Sequence, residues 1–348
     1  MNDNWKNLLI GQDKAIYKAI EILDKYGMQI VLIVDYQNHL LGTITDGDIR
    51  RGLLKKIDIK SKIEKVMNQS PITVNADAGL DESRSIMSKK GLLQLPIVDS
   101  NNKLIGLHTY QEKYSKQDYD NPVLIMAGGF GKRLRPLTDN VPKPMLQIGN
   151  KPILENIILN FMNNGFNNIF ISTHYLSDQI KDYFKDGSKW NINIKYLEEN
   201  IPLGTAGALS LLPDNINMPT IVVNGDVVTK LNIDQLLKSH LKHNADITMG
   251  VKEFIYQVPY GVIESEGIDI LQIHEKPTNN SFINAGVYVI NDTIKKYITK
   301  DKEMSMTELI NKSIKNKKNI KLFPIHELWI DIGEKDQLLK ANIEIDSQ

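Results

Sequence analysis

The sequence predicts an α/β protein, a doubly wound sheet preceded by a smaller α+β module. Three observations predict it. Short uninterrupted apolar runs alternate with stretches of helical periodicity from Pro122 onward, a 64-residue internal repeat fills the segment before them, and the polar stretch QEKYSKQDYDN at 111–121 separates the two. A chain of 348 residues is long enough for two domains with separate cores, expected at 1–117 and 121–348.

The first module reads as two copies of one unit. Val34-Asp35 aligns with Val98-Asp99, Leu40 with Leu104 and Gly42 with Gly106. Each copy is led by an amphipathic stretch, carried by Ile16, Ile20 and Leu23 in the first and by Leu80, Met87 and Leu92 in the second. Each then reads helix, strand, turn, strand, helix, and the two stack as a pair because neither alone offers enough apolar surface.

In the second domain the runs at 122–126, 168–172 and 220–224 are apolar throughout, as strands covered on both faces are. Helical stretches at 152–165, 177–184, 205–212 and 233–242 separate or follow them. This alternation describes a Rossmann-like sheet whose ligand crevice lies at the carboxyl ends of the strands. Beyond Gly261 the pattern is strand-rich, then helical again near 292–299, 305–316 and 334–344. With 15 residues after Gly333, an appended β-helix is not expected.

Composition narrows the function. Lys and Arg total 42, as do Asp and Glu, so nucleic acid and anionic membranes are not expected partners. Cysteine is absent, which excludes disulfides, thiolate metal sites and cysteine nucleophiles. No apolar run approaches the roughly 18 residues of a membrane span, and the polar start MNDNWKNLLIGQ does not read as a signal peptide; a cytoplasmic setting is expected. Only five arginines occur, and four of them, Arg50, Arg51, Arg133 and Arg135, sit in two short segments that read as phosphate sites.

The first apolar run of the second domain leads into Ala127-Gly128-Gly129-Phe130-Gly131-Lys132-Arg133-Leu134-Arg135-Pro136-Leu137-Thr138, followed by Pro142-Lys143-Pro144-Met145. Glycines after a strand let backbone N–H groups approach phosphate oxygens, and the cations that follow compensate charge. A Walker A loop is excluded because Arg133 stands where Ser or Thr would follow Gly131-Lys132, and a dinucleotide fingerprint because Leu134 replaces its third glycine.

The longer string resembles the signature of the sugar-1-phosphate nucleotidyltransferases, over roughly residues 121 to 340. Five further segments match that family in order: Glu199 to Ala206, Asn224-Gly225-Asp226, Tyr260-Gly261-Val262, Glu275-Lys276-Pro277 with Asn284-Ala285-Gly286, and Trp329 to Gly333. The resemblance implies attack of a sugar 1-phosphate oxygen on the α-phosphorus of a nucleoside triphosphate, with pyrophosphate leaving. Arg133, Lys143, Asp226 and Lys276 become the expected catalytic residues: Arg133 on the triphosphate, Lys143 on the α-phosphate and the attacking phosphate, Lys276 on the sugar phosphate. Ala127, Gly128, Gly129, Gly131, Glu199, Gly204 and Thr205 would hold the nucleotide, Gly261, Glu275 and Asn284 the sugar, and Asp226 with Asp331 a Mg²⁺ cofactor. His174 and His274 read as structural.

In the family the position of Glu199 faces the base, and a carboxylate there accepts from guanine N1–H and N2–H₂ while disfavouring the O4 acceptor of uracil or thymine; Glu198 is the alternative inward residue. GTP is thus the expected nucleotide. The chain most resembles guanylyltransferases that carry the N-terminal module, among them glucosamine-1-phosphate guanylyltransferases of bacterial legionaminic acid synthesis, which points to glucosamine 1-phosphate. Mannose 1-phosphate, another triphosphate (UTP, CTP or dTTP), and a nucleotide-binding regulatory protein are the alternatives.

The repeat itself resembles a paired CBS (Bateman) module over roughly residues 8 to 116. Its ligand pattern, Gly-x-x-Thr/Ser-x-x-Asp, is met by Gly42, Thr45 and Asp48 followed by Arg50, and in the second copy by Gly106, Thr109 and Glu112. The resemblance implies either an adenine or guanine nucleotide held at Thr45, Asp48 and Arg50, or a packing role, and with it a homo-oligomer, dimer or higher.

Overall fold

The structure is a computed structural model; it describes residues 3–109 and 118–346, and the side chains of 5–109 and 118–344. The chain divides into two compact units, Met1–Ser115 and Lys116–Gln348.

In the first unit each repeat forms a three-stranded sheet: Leu9–Gly11, Ile30–Val34 and Leu40–Thr45 in one, Val74–Asn75, Gln94–Val98 and Leu104–Thr109 in the other. The pair of hairpins shares the aligned irregularity, a register shift between Ile33 and Val34 and its counterpart between Ile97 and Val98. The two turns join by Leu40 N to Asn102 O and Leu104 N to Asn38 O, and Leu32, Val34 and Leu40 pack with Val98 and Leu104 in one core. Helix Ile16–Tyr26 buries Ile16, Ala19 and Leu23, ending at Gly27 in the left-handed region. Helix Leu80–Lys90 differs from its expected face. Ser83 and Met87 are buried, Leu80 at its first turn is exposed, and Leu92 lies beyond its glycine cap. Glu112 falls outside the described residues.

The second unit is the expected α/β sheet, seven strands in the order Asn193–Glu198, Asn168–Thr173, Val123–Met126, Thr220–Asn224, Thr278–Ile290, Ile247–Gln257, Ile320–Ile325. The first four run parallel, and Thr278–Ile290 enters antiparallel to both its neighbours. Alternation along the strands sorts side chains into two cores. Val123, Ile125, Ile169, Ile171, Ile221 and Val223 meet Ile157, Phe161, Ile180 and Leu236 of helices Ile153–Asn163, Ser177–Phe184 and Ile233–Lys242. Leu124, Phe170, Val222 and Tyr288 meet Leu209, Ile294 and Leu309 on the opposite face. Neither face could be exposed, which explains the unbroken apolar runs. The chain leaves Val123–Met126 toward one neighbour, Asn168–Thr173, and later returns on the other side as Thr220–Asn224, so the sheet's switch point lies at Met126, where the glycine loop begins.

Candidate functional site

A cavity of about 230 Å³ opens at that switch point, lined among others by Ala127, Gly128, Gly129, Lys143, Glu199, Gly204, Thr205 and Asp226. Segments scattered over a hundred residues converge there because each follows the carboxyl end of a parallel strand or is docked onto one.

Lys143 sits in a single turn of 3₁₀ helix between Pro142 and Pro144 and is 9% exposed. Its Nζ donates to Asp226 Oδ2 at 2.5 Å, leaving the buried Asp226 Oδ1 without a partner among the described residues. Asp331 joins this pair through backbone pairing, Val227 opposite Asp331 and Ile332 N donating to Asp226 O at 3.0 Å. Its Oδ1 is likewise buried and unpartnered among the described residues. Burial and then the negative charge of Asp226 raise the Asp331 pKa, while Lys143 and Arg133 pull it back. Arg133 Nη1 lies 3.1 Å from where a Cβ on Gly333 would stand, which sets its guanidinium beside the turn that follows Asp331. Two carboxylates, each with an idle buried oxygen, and two cations nearby form a donor set suited to Mg²⁺ shared with phosphate oxygens and water.

Glu199, also on the cavity wall, is 8% exposed. Its Oε1 accepts from Ser172 Oγ and its Oε2 from Leu203 N at 2.8 Å, and its carbonyl accepts from His174 Nδ1 at 2.7 Å. Glu198, in contrast, is exposed and paired with Lys181. Gly128 is required by this arrangement, since a Cβ there would stand 2.9 Å from Glu199 Oε1. The turn carrying Gly204 and Thr205 is clamped by the 302–306 segment: Ala206 N donates to Met304 O at 2.9 Å and Met306 N to Thr205 Oγ1 at 2.8 Å. That clamp brings Glu303 to the cavity wall.

The remaining expected residues lie outside the cavity lining. Gly131 caps the turn Lys132–Leu134 in the left-handed region behind the loop. Gly261, Glu275 and Lys276 stand at the base of an exposed ribbon, Val262–Glu266 paired with Asp269–His274, with Glu275 Oε2 3.2 Å from where a Cβ on Gly261 would be. The Lys276 carbonyl accepts from Gln257 Nε2, and its side chain is exposed. Asn284 opens the turn Asn284-Ala285-Gly286, where Gly286 has φ +68° and a Cβ would meet Asn224 Nδ2 at 2.6 Å. Trp329 Nε1 donates to Ala285 O at 2.8 Å, joining this turn to the Asp331 strand. In the first unit Thr45 and Asp48 form a capping box, with Thr45 N and Oγ1 both donating to Asp48 Oδ2; Asp48 also takes Arg51, while Arg50 is buried.

With this geometry in place, the comparisons with known proteins decide the family. The nucleotidyl transferase family profile matches residues 122–348. The chain belongs to the nucleotidyl transferase family. CBS domains match residues 6–55 and 63–107. Among curated proteins, it is 34% identical over 227 residues to the bifunctional protein GlmU of Methanocaldococcus jannaschii, covering 63% of this chain and 53% of that one. It is 33% identical over 229 residues to the mannose-1-phosphate guanyltransferase of Schizosaccharomyces pombe, covering 62% of each. The chain thus spans between half and two thirds of the length of these relatives. Among solved structures, HddC from Yersinia pseudotuberculosis complexed with GMP-PN superposes with TM-score 0.52 at 28% identity, over 65% of this chain and 99% of that one.

Sequence reasoning did not nominate Asn224, Pro202 or Glu303, all on the wall of the nucleotidyl transferase cavity. Asn224 was within reach, standing beside Gly225-Asp226 with a buried Oδ1 that no described residue partners. Glu303 carries no local motif; only the clamp on Gly204 and Thr205 brings it there.

Proposed function

We propose that the unit from Lys116 onward transfers a guanylyl group from GTP to a hexose 1-phosphate, giving a GDP-sugar and pyrophosphate. The observation that carries this reading is one cavity walled by the glycine loop, a buried, carboxylate-paired lysine and a buried glutamate. The loop from Ala127 to Gly131 offers close backbone approach to the triphosphate, and Arg133 adds a cation beside it. Lys143 neutralises charge on the α-phosphate as a sugar 1-phosphate oxygen forms its bond to the α-phosphorus and the bond to the pyrophosphate oxygen breaks. Asp226 Oδ1 and Asp331 Oδ1 would hold Mg²⁺, which supplies charge neutralisation to the phosphates when bound. Lys276 and Glu275, on the exposed ribbon, and Asn284 meet the sugar phosphate and its hydroxyls.

Guanine is favoured because Glu199 Oε1 and Oε2 each accept one hydrogen bond from the protein and keep a further lone pair for N1–H or N2–H₂. For the sugar, glucosamine 1-phosphate is the leading choice from the overall likeness to guanylyltransferases that carry CBS pairs. Mannose 1-phosphate is the second reading, favoured by the curated relatives named for it. The CBS pair is proposed to bind an adenine or guanine nucleotide beside Thr45 and Asp48, or to join protomers.

A panel of GTP, UTP, CTP and dTTP crossed with both sugar phosphates, read by pyrophosphate release, tests the reading. GTP is expected to lead by at least tenfold in kcat/KM, and Glu199→Gln to reduce that lead. A better rate with UTP, CTP or dTTP overturns the base assignment, and no turnover with any pair overturns the reaction.

A further inference from the structure

The turn at Asn284 carries more than a sugar contact. Along the pairing of Ile247–Gln257 with Thr278–Ile290, Tyr288 faces Met249 and Asn284 faces Val251, so Ala285, Gly286 and Val287 together oppose the single residue Gly250. Bulges of this kind re-aim side chains beside active sites. Here the bulge turns two residues four apart toward each other. Tyr288, only 2% exposed and packed in the second core, donates its phenol to Asn284 Oδ1 at 2.8 Å.

The hydrogen-bond donors around it fix the orientation of the Asn284 amide. Gly286 N, which can only donate, also points at Asn284 Oδ1, at 3.0 Å. The oxygen must therefore face inward to both donors, and the amide Nδ2 outward, where no acceptor among the described residues meets it. A flipped amide would set its NH₂ against the Gly286 N–H, donor against donor.

We infer that Tyr288 is a positioning residue that, with Gly286 N, fixes Asn284 so that the sugar 1-phosphate meets two N–H donors and no acceptor at this point. The inference rests on the proposal that Asn284 touches the sugar, and it adds a chemical requirement. The group facing Asn284 must own a lone pair, so it is a hydroxyl oxygen and not an ammonium; an ammonium on the sugar belongs beside the carboxylate of Glu275.

The test compares wild type, Tyr288→Phe, Asn284→Ala and the double variant, with KM measured separately for the sugar 1-phosphate and for GTP, and melting followed alongside. Tyr288→Phe removes one of the two anchors, so the sugar KM is expected to rise about fivefold, the magnitude of one hydrogen bond, with GTP KM and kcat within twofold. Asn284→Ala should raise the sugar KM at least as much, and adding Tyr288→Phe to it should change nothing further. A Tyr288→Phe enzyme whose sugar KM is unchanged while Asn284→Ala raises it overturns the positioning role alone. So does a Tyr288→Phe effect that moves kcat and both KM values together, or that persists in full on the Asn284→Ala background. An Asn284→Ala enzyme with unchanged sugar KM removes the sugar contact itself and the inference with it.

Discussion

Replacing Lys143 with Met separates the charge of this residue from its bulk. At 2.5 Å from Asp226 the gross attraction is about 6 to 7 kcal/mol for an effective dielectric of about 20. Desolvation of both ions offsets most of that. Breaking a fully buried pair costs about 3 to 5 kcal/mol, and side-chain exposures of 11% and 24% bring the cost here to about 2 to 3, at or just below the bottom of that range. For a unit of this size that lowers Tm by about 5 to 10 °C. Deleting both charges, as Lys143→Met with Asp226→Asn, removes the carboxylate that lost its partner and relieves its repulsion on Asp331, which keeps Arg133 nearby, and should recover part of the lost stability. Activity behaves differently. Loss of a cation aimed at developing phosphate charge lowers kcat by about 100-fold or more, and the stabilised double variant stays inactive. Thermal melting, and pyrophosphate release measured below the lowest melting temperature, give the two quantities. A Lys143→Met enzyme turning over within about threefold of wild type would falsify the assignment, and a double variant less stable than the single one would show that the pair is not what holds the residue.

Two further outcomes concern the frame around the site. Gly286→Ala places a Cβ at φ +68° and 2.6 Å from Asn224 Nδ2, so it should cost about 2 to 3 kcal/mol in urea unfolding; an unchanged midpoint would contradict the close approach. His240 is 1% exposed, with Nδ1 at Thr248 Oγ1 and Nε2 at Asn291 Oδ1, and burial lowers its pKa. Because Asn291 Nδ2 donates to Ala245 O, its Oδ1 is the acceptor and Nε2 carries the proton. Its folded value is depressed, so its contribution is present above the unfolded value of about 6.5 and is lost as pH falls toward the folded value, at up to about 1.4 kcal/mol per pH unit. His240→Gln should flatten the pH dependence of melting as pH falls below about 6.5. An equally steep profile in the variant would assign that dependence to other groups.

The sheet was legible because its strands are covered on both faces, and full burial leaves an unbroken apolar run such as Val123-Leu-Ile-Met that is hard to mistake. The antiparallel entry of Thr278–Ile290 was not, since the polar half, Thr278 to Ser281, extends into the exposed part of the hairpin and hides the apolar half. The expected face of Leu80–Lys90 failed for a related reason: three apolar residues loosely spaced over a helix start and a cap do not define a stripe. In the site, motif residues on the glycine loop and on Asn224 to Asp226 meet because local geometry puts them at strand ends. Glu303 meets them because the backbone of Met304 and Met306 is bonded to Ala206 N and Thr205 Oγ1, and backbone groups on the 302–306 side leave no residue preference to read there. The same holds for Tyr288, whose apolar neighbours make it look like an ordinary core aromatic.

Asp331 is held to Asp226 by a two-strand ladder, Val227–Thr229 with Trp329–Asp331, that stands apart from the seven-stranded sheet. Synthesis runs from the amino end, so a growing chain carries its glycine loop, Lys143 and first carboxylate long before the second. The main sheet is also complete by Ile325, several residues earlier. A product that stops between the two points keeps every strand of the sheet and lacks half of the carboxylate pair. The order of synthesis therefore withholds the last charged group until the scaffold that must position it has been made.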